Sequence, residues 1–190
     1  MRRPFEVRLG TAGDLHVILD LIEEAASWLR TRDTDQWARP WPTEEARNDR
    51  VLDGLRAKKT WIAWDGEIPV ATITTDPKVN PEVWAGQPEQ REPVVYVHRL
   101  VVSRNYAHRD IGAGLLDWAG EWAVRTFGAR WIRIDVWTKN VDLHSYYEQQ
   151  GFRFVGYCAD PDYPSGSLFE RAITTPEGSI TQRQEVAPSL

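Results

Sequence analysis

Two stretches of the sequence carry residues whose types and spacing could do chemistry. In the first, Tyr96–Gly114 (YVHRLVVSRNYAHRDIGAG), a β-prone run ends in a loop with two arginines and a histidine, and two glycines follow at a helix start. The unpaired N–H groups and positive dipole of a helix start suit a phosphate or pyrophosphate. The loop lacks the third glycine of the dinucleotide fingerprint and the lysine of the Walker motif. Alone, it predicts an anion site, or a tight turn that binds nothing.

The second stretch, Asn140–Phe152 (NVDLHSYYEQQGF), is predicted to form a short helix. Asn140 can cap this helix, and Gly151 can end it in the left-handed conformation. The apolar spacing places Tyr147 on the packed face, so packing directs its side chain. From the helix alone, the favoured interpretation is that Asn140 is only a cap and Tyr147 only a half-buried aromatic residue.

Together the two stretches resemble the GNAT superfamily of acetyl-CoA-dependent N-acetyltransferases. The resemblance rests on an R-x-x-G-x-G sequence after a β-run and, about 30 residues later, an N-x6-Y-x3-G-F sequence. It is strong over residues 61–157, and the order of elements extends it to Ile173. The residues that carry it are Arg109, Gly112, Gly114, Asn140, Tyr147, Gly151 and Phe152.

The resemblance implies an α/β chain with a central, twisted mixed sheet flanked by helices, in which strands Val94–Val102 and Trp131–Trp137 splay apart. Acetyl-CoA would lie in this splay, with its arm on exposed backbone, its pyrophosphate on the loop and helix start, and its thioester facing Tyr147. The residues expected to hold it are Leu100, Val101, Val102, Arg104, His108, Arg109, Asp110, Ile111, Gly112, Ala113, Gly114, Asn140 and Tyr147.

The implied reaction is direct attack of an amine on the thioester through a tetrahedral intermediate. Tyr147 is the expected general acid, because a phenol with a pKa near 10 can protonate a thiolate whose thiol has a pKa of about 8.5. The family often places a glutamate on the strand before the cofactor loop, but this strand has no carboxylate. His98 is the expected base, with Asp135 orienting it or acting itself; a structural histidine and a water chain are the alternatives. Strand alternation predicts that Arg99 points away from His98.

In the family, the first helices and the loop between them usually form the acceptor site. The corresponding segment here, Ser27–Pro42, carries three tryptophans, and the loop 76–93 adds one tryptophan and several acids. The expected acceptor residues are Trp28, Trp37, Trp41 and Trp84. Aromatic walls with nearby carboxylates suit a cationic amine, although plain packing of the tryptophans on the sheet is the alternative. The narrow entrance favours a small-molecule amine. A protein N-terminus or lysine, and a non-catalytic acyl-CoA sensor or partner subunit, are the competing hypotheses.

The elements that must position these residues fit one domain over residues 1–173, followed by a polar, disordered tail over 174–190. Apolar periodicity predicts strand Phe5–Leu9, helix Leu15–Leu29 and a second helix from Thr43 to near Lys58. It also predicts the hairpin Trp61–Trp64 with Ile68–Thr75, a long loop over 76–93, strand Val94–Val102 and helix Ile111–Phe127. Strand Trp131–Trp137, helix Val141–Gln150, and strands Phe152–Tyr157 and Leu168–Ile173 complete the pattern.

The composition excludes several classes of protein. The 190 residues include 23 Lys plus Arg and 28 Asp plus Glu, a formal charge of −5, which argues against a broad nucleic-acid-binding surface. No apolar run is long enough for a membrane span, and the N-terminus does not resemble a secretory signal. The single cysteine, Cys158, fits a reducing cytosol, so a cytoplasmic location is expected. The spacing of histidine and cysteine predicts no metal site, and the resemblance allows a homodimer.

Overall fold

Seven strands form one mixed sheet in the computed structural model, which describes residues 5–38, 40, 42–87 and 92–174. Their order across the sheet is β1-β2-β3-β4-β5-β7-β6. β4 and β5 pair in parallel, and the other neighbouring strands pair in antiparallel fashion. The strands are β1 (Glu6–Leu9), β2 (Thr60–Asp65), β3 (Ile68–Asp76), β4 (Val94–Val102), β5 (Trp131–Val136), β6 (Arg153–Tyr157) and β7 (Ser167–Ala172). The helices are α1 (Leu15–Leu29), α2 (Glu44–Arg56), α3 (Pro81–Trp84), α4 (Ile111–Phe127) and α5 (Val141–Gln149). The predicted α/β fold is therefore confirmed.

The helices cover both faces of the sheet. Successive strand residues point to opposite faces, so each face presents apolar side chains that a helix can bury. On β2, Ile62 joins a buried cluster with α1 and α2, whereas its neighbour Ala63 joins a second cluster with α4 and α5. α1 contributes a buried stripe that includes Ile18 and Ile22, and α4 contributes one that includes Leu115. The apolar periodicity that predicted these helices thus corresponds to the faces they bury.

The local signals for helix starts and ends are confirmed in most places. The Asp14 carboxylate accepts hydrogen bonds from Thr11 N and Thr11 Oγ1, both at 2.8 Å, as expected of a capping box. Gly151 has a left-handed φ of 81° and ends α5. The loop over 76–93, however, contains the one-turn helix α3, which periodicity could not reveal. Its signal was Asn80 followed by proline, since Asn80 Oδ1 accepts from Glu82 N at 3.0 Å.

Two irregularities of β4 shape the centre of the sheet. Thr74 pairs with His98 and Thr72 with Val101, so β4 carries one more residue than β3 across this interval. The extra residue is a β-bulge in which Arg99 has a φ of 49°. On the opposite side, the parallel pairing of β4 with β5 stops at Val97 and Ile134. From there the two strands diverge, which gives the splay that the resemblance implied.

Several sequence expectations concern the chain as a whole. Among the described residues, no helix combines the length and apolar character needed to cross a membrane. The same residues include no group of three or more histidine, cysteine or carboxylate side chains placed to hold a metal ion. The predicted tail lies outside the described residues from position 175 onward. The homodimer and the cytoplasmic location stay predictions.

Candidate active site

A cleft of about 1610 Å³ opens where β4 and β5 diverge. Its walls come from α1, α2, the second half of β4, the start of α4, the end of β5, α5 and the loop before β7. It brings together most of the residues that the sequence singled out: Trp28, Trp37, His98, Leu100, Val101, Val102, Arg104, His108, Arg109, Asp110, Ile111, Gly112, Ala113, Asp135, Asn140 and Tyr147. Gly114 and Trp84 do not line it, and Trp41 lies outside the described residues.

The start of α4 offers unpaired N–H groups at one end of the cleft. Asp110 precedes the helix with a left-handed φ of 55°, and its side chain makes no capping hydrogen bond. The backbone bond from Gly114 N to Asp110 O (2.9 Å) is the first of the helix, so the N–H groups of residues 111–113 have no helical acceptor. His108 is also left-handed, with a φ of 61°. Such turns direct successive N–H groups into an anion-binding concavity, next to the positive end of the helix dipole.

The loop before α4 is anchored to α1 by a carboxylate that sequence reasoning missed. Glu24 Oε1 accepts from Arg104 N at 2.9 Å and from Ser103 Oγ at 3.3 Å. The Arg104 guanidinium lies 3.7 Å from the ring centroid of Trp28. Trp28 therefore helps to hold a cation of the loop. No spacing signal marks Glu24, because it lies 80 positions from Arg104 in the chain.

The two glycines in the first turn of α4 serve different contacts. A Cβ on Gly112 would lie 2.6 Å from the hydroxyl oxygen of Tyr146, at the edge of the cleft. A Cβ on Gly114 would lie 3.2 Å from the Phe5 ring, in the core on the other side of the helix. The structure therefore places Gly114 in core packing, and its predicted contact with the cofactor is not supported by this position.

Tyr147 lies at the inner wall of the cleft and is held by ring contacts. Its ring meets those of Tyr146 and Phe152 edge-on, with centroid distances of 5.3 and 5.5 Å. Only 8% of the residue is exposed. Burial raises the pKa of Tyr147, and the nearby Tyr146 and Asp135 raise it further. The hydroxyl consequently stays protonated at neutral pH and is available as a proton donor.

The Asp135 carboxylate lies between the imidazole of His98 and the phenol of Tyr163. His98 Nδ1 lies 3.0 Å from Asp135 Oδ1, close enough for an ion pair, although the ring N–H and this oxygen are not aligned as a hydrogen bond. Tyr163 donates a hydrogen bond to Asp135 Oδ2 at 2.8 Å. Burial raises the pKa of Asp135, but its contacts with His98 and Tyr163 outweigh burial and leave this pKa below its usual value. Asp135 is therefore anionic at neutral pH.

Arg99 lines the cleft together with His98, so the expectation that alternation turns it away is wrong. The bulge changes its direction, at a strain of roughly 1–2 kcal/mol for a non-glycine residue in the left-handed region. Its guanidinium lies beside α2, where a Cβ on Gly54 would be 3.5 Å from Arg99 Nη2. Burial lowers the pKa of Arg99, and the neighbouring Arg50 lowers it further.

The remaining tryptophans have distinct surroundings. Trp37 lines the cleft and also packs against the cluster of α1 and α2. Trp84 is 4% exposed and lies against Tyr96 and the Arg133 guanidinium, at ring distances of 5.6 and 4.6 Å. α3 folds Trp84 onto the sheet beside β4 and β7. The acceptor contact predicted for Trp84 therefore finds no support in its position.

Two loops meet across the cleft entrance. The Asn140 side chain caps α5 by accepting from Leu143 N at 3.1 Å, as predicted, and also donates to Gln36 Oε1 at 2.6 Å. Asp35 accepts from Trp137 Nε1 at 2.8 Å and from Lys139 Nζ at 3.1 Å. The loop between α1 and α2 is thereby attached to the loop between β5 and α5.

Comparisons with known proteins agree with this geometry. The model of the acetyltransferase (GNAT) family matches residues 22–152. The uncharacterized N-acetyltransferase YesJ of Bacillus subtilis is 28% identical over 164 residues, which cover 85% of this chain and 86% of that protein. A GNAT acetyltransferase from Streptococcus agalactiae superposes with a TM-score of 0.71 at 16% identity, covering 92% of this chain and 99% of its own. The PaiA N-acetyltransferase of Thermoplasma acidophilum, solved in complex with coenzyme A, gives a TM-score of 0.64 at 18% identity, covering 88% and 98%. The two structures demonstrate a shared fold.

Proposed function

Because the chain belongs to the acetyltransferase (GNAT) family, we propose that it transfers the acetyl group of acetyl-CoA to the primary amine of a small-molecule acceptor. The observation that carries the proposal is the placement of Tyr147 in the cleft between the splayed strands β4 and β5, beside the uncapped start of α4. A proton donor, an anion site and unpaired strand backbone thus meet in one cleft, and acetyl transfer from a nucleotide-linked thioester uses all three.

The residues of the cleft fit acetyl-CoA. The N–H groups of residues 111–113, with Arg104 and Arg109 on the same loop, would hold the pyrophosphate. Past Val97, none of the described residues pairs with the backbone of β4 on its β5 side, so residues 100–102 would bind the pantetheine arm as an added strand. The start of α4 has no capping side chain of its own, which leaves its donors available to a ligand.

The side chains around the splay would supply the proton transfers. His98 would accept the proton of the acceptor amine, and the Asp135 carboxylate would stabilise the resulting imidazolium. Backbone N–H groups at the splayed end of β4 would stabilise the developing oxyanion. Tyr147 would donate its proton to the leaving sulfur as the carbon–sulfur bond breaks.

The position of Asp135 bears on the non-catalytic alternative. The lack of a carboxylate on β4 is the feature that most favours a non-catalytic sensor or partner subunit. Asp135 on β5 supplies a carboxylate within 3.0 Å of His98, in the same cleft as Tyr147. This arrangement favours a catalyst.

The proposal is tested by isothermal titration of the protein with acetyl-CoA, desulfo-CoA and NAD in parallel. Selective binding of the two CoA compounds is expected, followed by acetyl-CoA-dependent thiol release with a panel of amines. Asp135→Asn should lower kcat/KM by about 100-fold without changing acetyl-CoA affinity, because the imidazolium formed at His98 would lose its stabilising carboxylate. Asp117→Asn, which changes an exposed carboxylate paired with Arg171, is the matched control. Absence of CoA binding, or equal binding of NAD, would overturn the proposal.

A further inference from the structure

One wall of the cleft carries guanidinium groups that the proposed proton transfers do not use. Arg47, Arg50 and Gly54 are spaced three and four residues apart on α2, so they share one face of the helix. Arg99 approaches that face from the bulge of β4, with Nη2 at 3.5 Å from the position of a Cβ on Gly54. All three arginines line the cleft. We refer to this surface, formed by Arg47, Arg50 and Arg99, as the arginine wall.

The Arg99 guanidinium lacks a counter-ion among the described residues. Its Nε is completely shielded from solvent, yet no described residue accepts a hydrogen bond from it. No ion pair among the described residues includes Arg99. Burial and the like charge of Arg50 both destabilise its charged form. Buried cations in proteins are normally paired, because an unpaired one is costly. A strained backbone conformation fixes this residue in place, which is typical of functional positions.

The cleft also carries the complementary charge near the arginine wall. Asp135 is anionic, has a side chain that is 8% exposed, and faces the cleft between His98 and Tyr163. It raises the pKa of Arg99, so the two charges are near enough to interact electrostatically. An acceptor in the cleft would therefore meet positive charge on the arginine wall and negative charge at Asp135.

On the basis of the proposed acetyltransferase function, we propose that the acceptor amine also carries a carboxylate or phosphate group, which binds Arg99 and Arg50 while the amine lies beside His98 and Asp135. A guanidinium binds either anion with paired, charge-assisted hydrogen bonds. The acceptor would thus be a zwitterion, such as an amino acid or an aminoalkyl phosphate. A polycation such as a polyamine would be repelled by the arginine wall. This differs from the cationic amine that the tryptophans predicted.

The test compares amines that differ only in the anionic group. L-amino acids are each paired with their amides, O-phosphoethanolamine is paired with ethanolamine, and spermidine represents the polycations. The kcat/KM of each is measured by thiol release at saturating acetyl-CoA. We expect the best acceptor to carry the anion and to exceed its uncharged partner by about tenfold or more, as charged hydrogen bonds contribute. The amino acid and phosphate arms distinguish the two anions.

Arginine variants connect this preference to the structure. Arg99→Gln should raise KM for the anionic acceptor by about tenfold or more and abolish the preference over its uncharged partner, with acetyl-CoA affinity unchanged. Arg50→Gln, on the surface helix α2, should reduce the same preference and provides a second test if Arg99→Gln folds poorly. Arg125→Gln is the matched control, since Arg125 lies on α4 outside the cleft and pairs at 3.8 Å with Glu121.

The outcomes separate the two proposals. Preference for the uncharged partners or for spermidine, equal rates within each pair, or no acetylation of any anionic amine by a protein that binds acetyl-CoA overturns the zwitterionic acceptor. A protein that binds no acetyl-CoA instead overturns the acetyltransferase function, on which this inference rests. Loss of preference in Arg99→Gln or Arg50→Gln, with Arg125→Gln unchanged, supports the assignment of the arginine wall.

Discussion

The Tyr147→Phe variant isolates the contribution of one hydroxyl group. Phenylalanine keeps the ring contacts with Tyr146 and Phe152 at 5.3 and 5.5 Å. The Tyr147 hydroxyl makes no hydrogen bond to a described residue, so its removal leaves no such partner unpaired. The free energy of unfolding should therefore change by no more than about 0.5 kcal/mol. The affinity for acetyl-CoA, measured by calorimetry, should also be unchanged.

The effect on turnover should be much larger. A general acid contributes about 10²- to 10⁴-fold to the rate, which corresponds to about 2.7–5.4 kcal/mol of transition-state stabilisation. The expected result is a loss of kcat in this range, measured by thiol release with the best acceptor. Tyr96→Phe is the matched control, because Tyr96 is 6% exposed, packs against Trp84 and does not line the cleft.

The same hydroxyl predicts the alkaline behaviour of the enzyme. Because burial raises the pKa of Tyr147 above the ordinary phenol value of about 10, the group keeps its proton up to and beyond that pH. The kcat of the wild-type protein should therefore not fall through ionisation of Tyr147 below about pH 10. A Tyr147→Phe variant whose kcat stays within about threefold of wild type would refute the assignment of Tyr147 as general acid.

Three further substitutions test the surroundings of the site. Gly112→Glu should weaken acetyl-CoA binding by at least about 100-fold in calorimetry, because it places negative charge and bulk at the uncapped start of α4. A folded variant with unchanged affinity would contradict the anion site. Glu24→Gln should weaken the same binding by about three- to tenfold, since it removes the charge that accepts from Arg104 N; wild-type affinity would mean that the loop holds its shape without this anchor. Gly54→Ala should lower the free energy of unfolding, measured in urea, by about 1–3 kcal/mol, because the added Cβ would lie 2.7 Å from Thr60 Oγ1. This loss should exceed the gain from the better helix propensity of alanine. A more stable variant would show that the structure relieves the contact with Thr60.

The sequence predicts those parts of the molecule that depend on local chemistry. The bounds of β4 and α4 agree with the structure, because each has a continuous pattern bordered by polar or glycine residues. The capping role of Asn140 follows from its position before a helix. The placement of Tyr147 in the cleft follows from the spacing of one motif, which fixes the packed face of α5.

The remaining parts depend on contacts between distant segments. Tyr163 reaches Asp135 from a loop 28 positions later, and no spacing rule connects the two. The bulge at Arg99 leaves no mark in a run of β-prone residues, so strand alternation gives the wrong direction for its side chain. The acceptor role predicted for Trp84 finds no support in its buried position, because aromatic composition does not distinguish a binding wall from a buried side chain.

The extra residue of β4 has a consequence for how this protein can evolve. Shortening β4 by one residue between His98 and Val101 would let it match β3 residue for residue and would relieve the strained dihedral angle. The resulting sheet would be free of this strain, yet the Arg99 side chain would no longer point into the cleft. Selection for thermostability alone would therefore favour the regular strand, and selection for turnover would preserve the irregular one. At the bulge, the thermal stability of the sheet and the direction of the Arg99 side chain place opposite demands on the sequence.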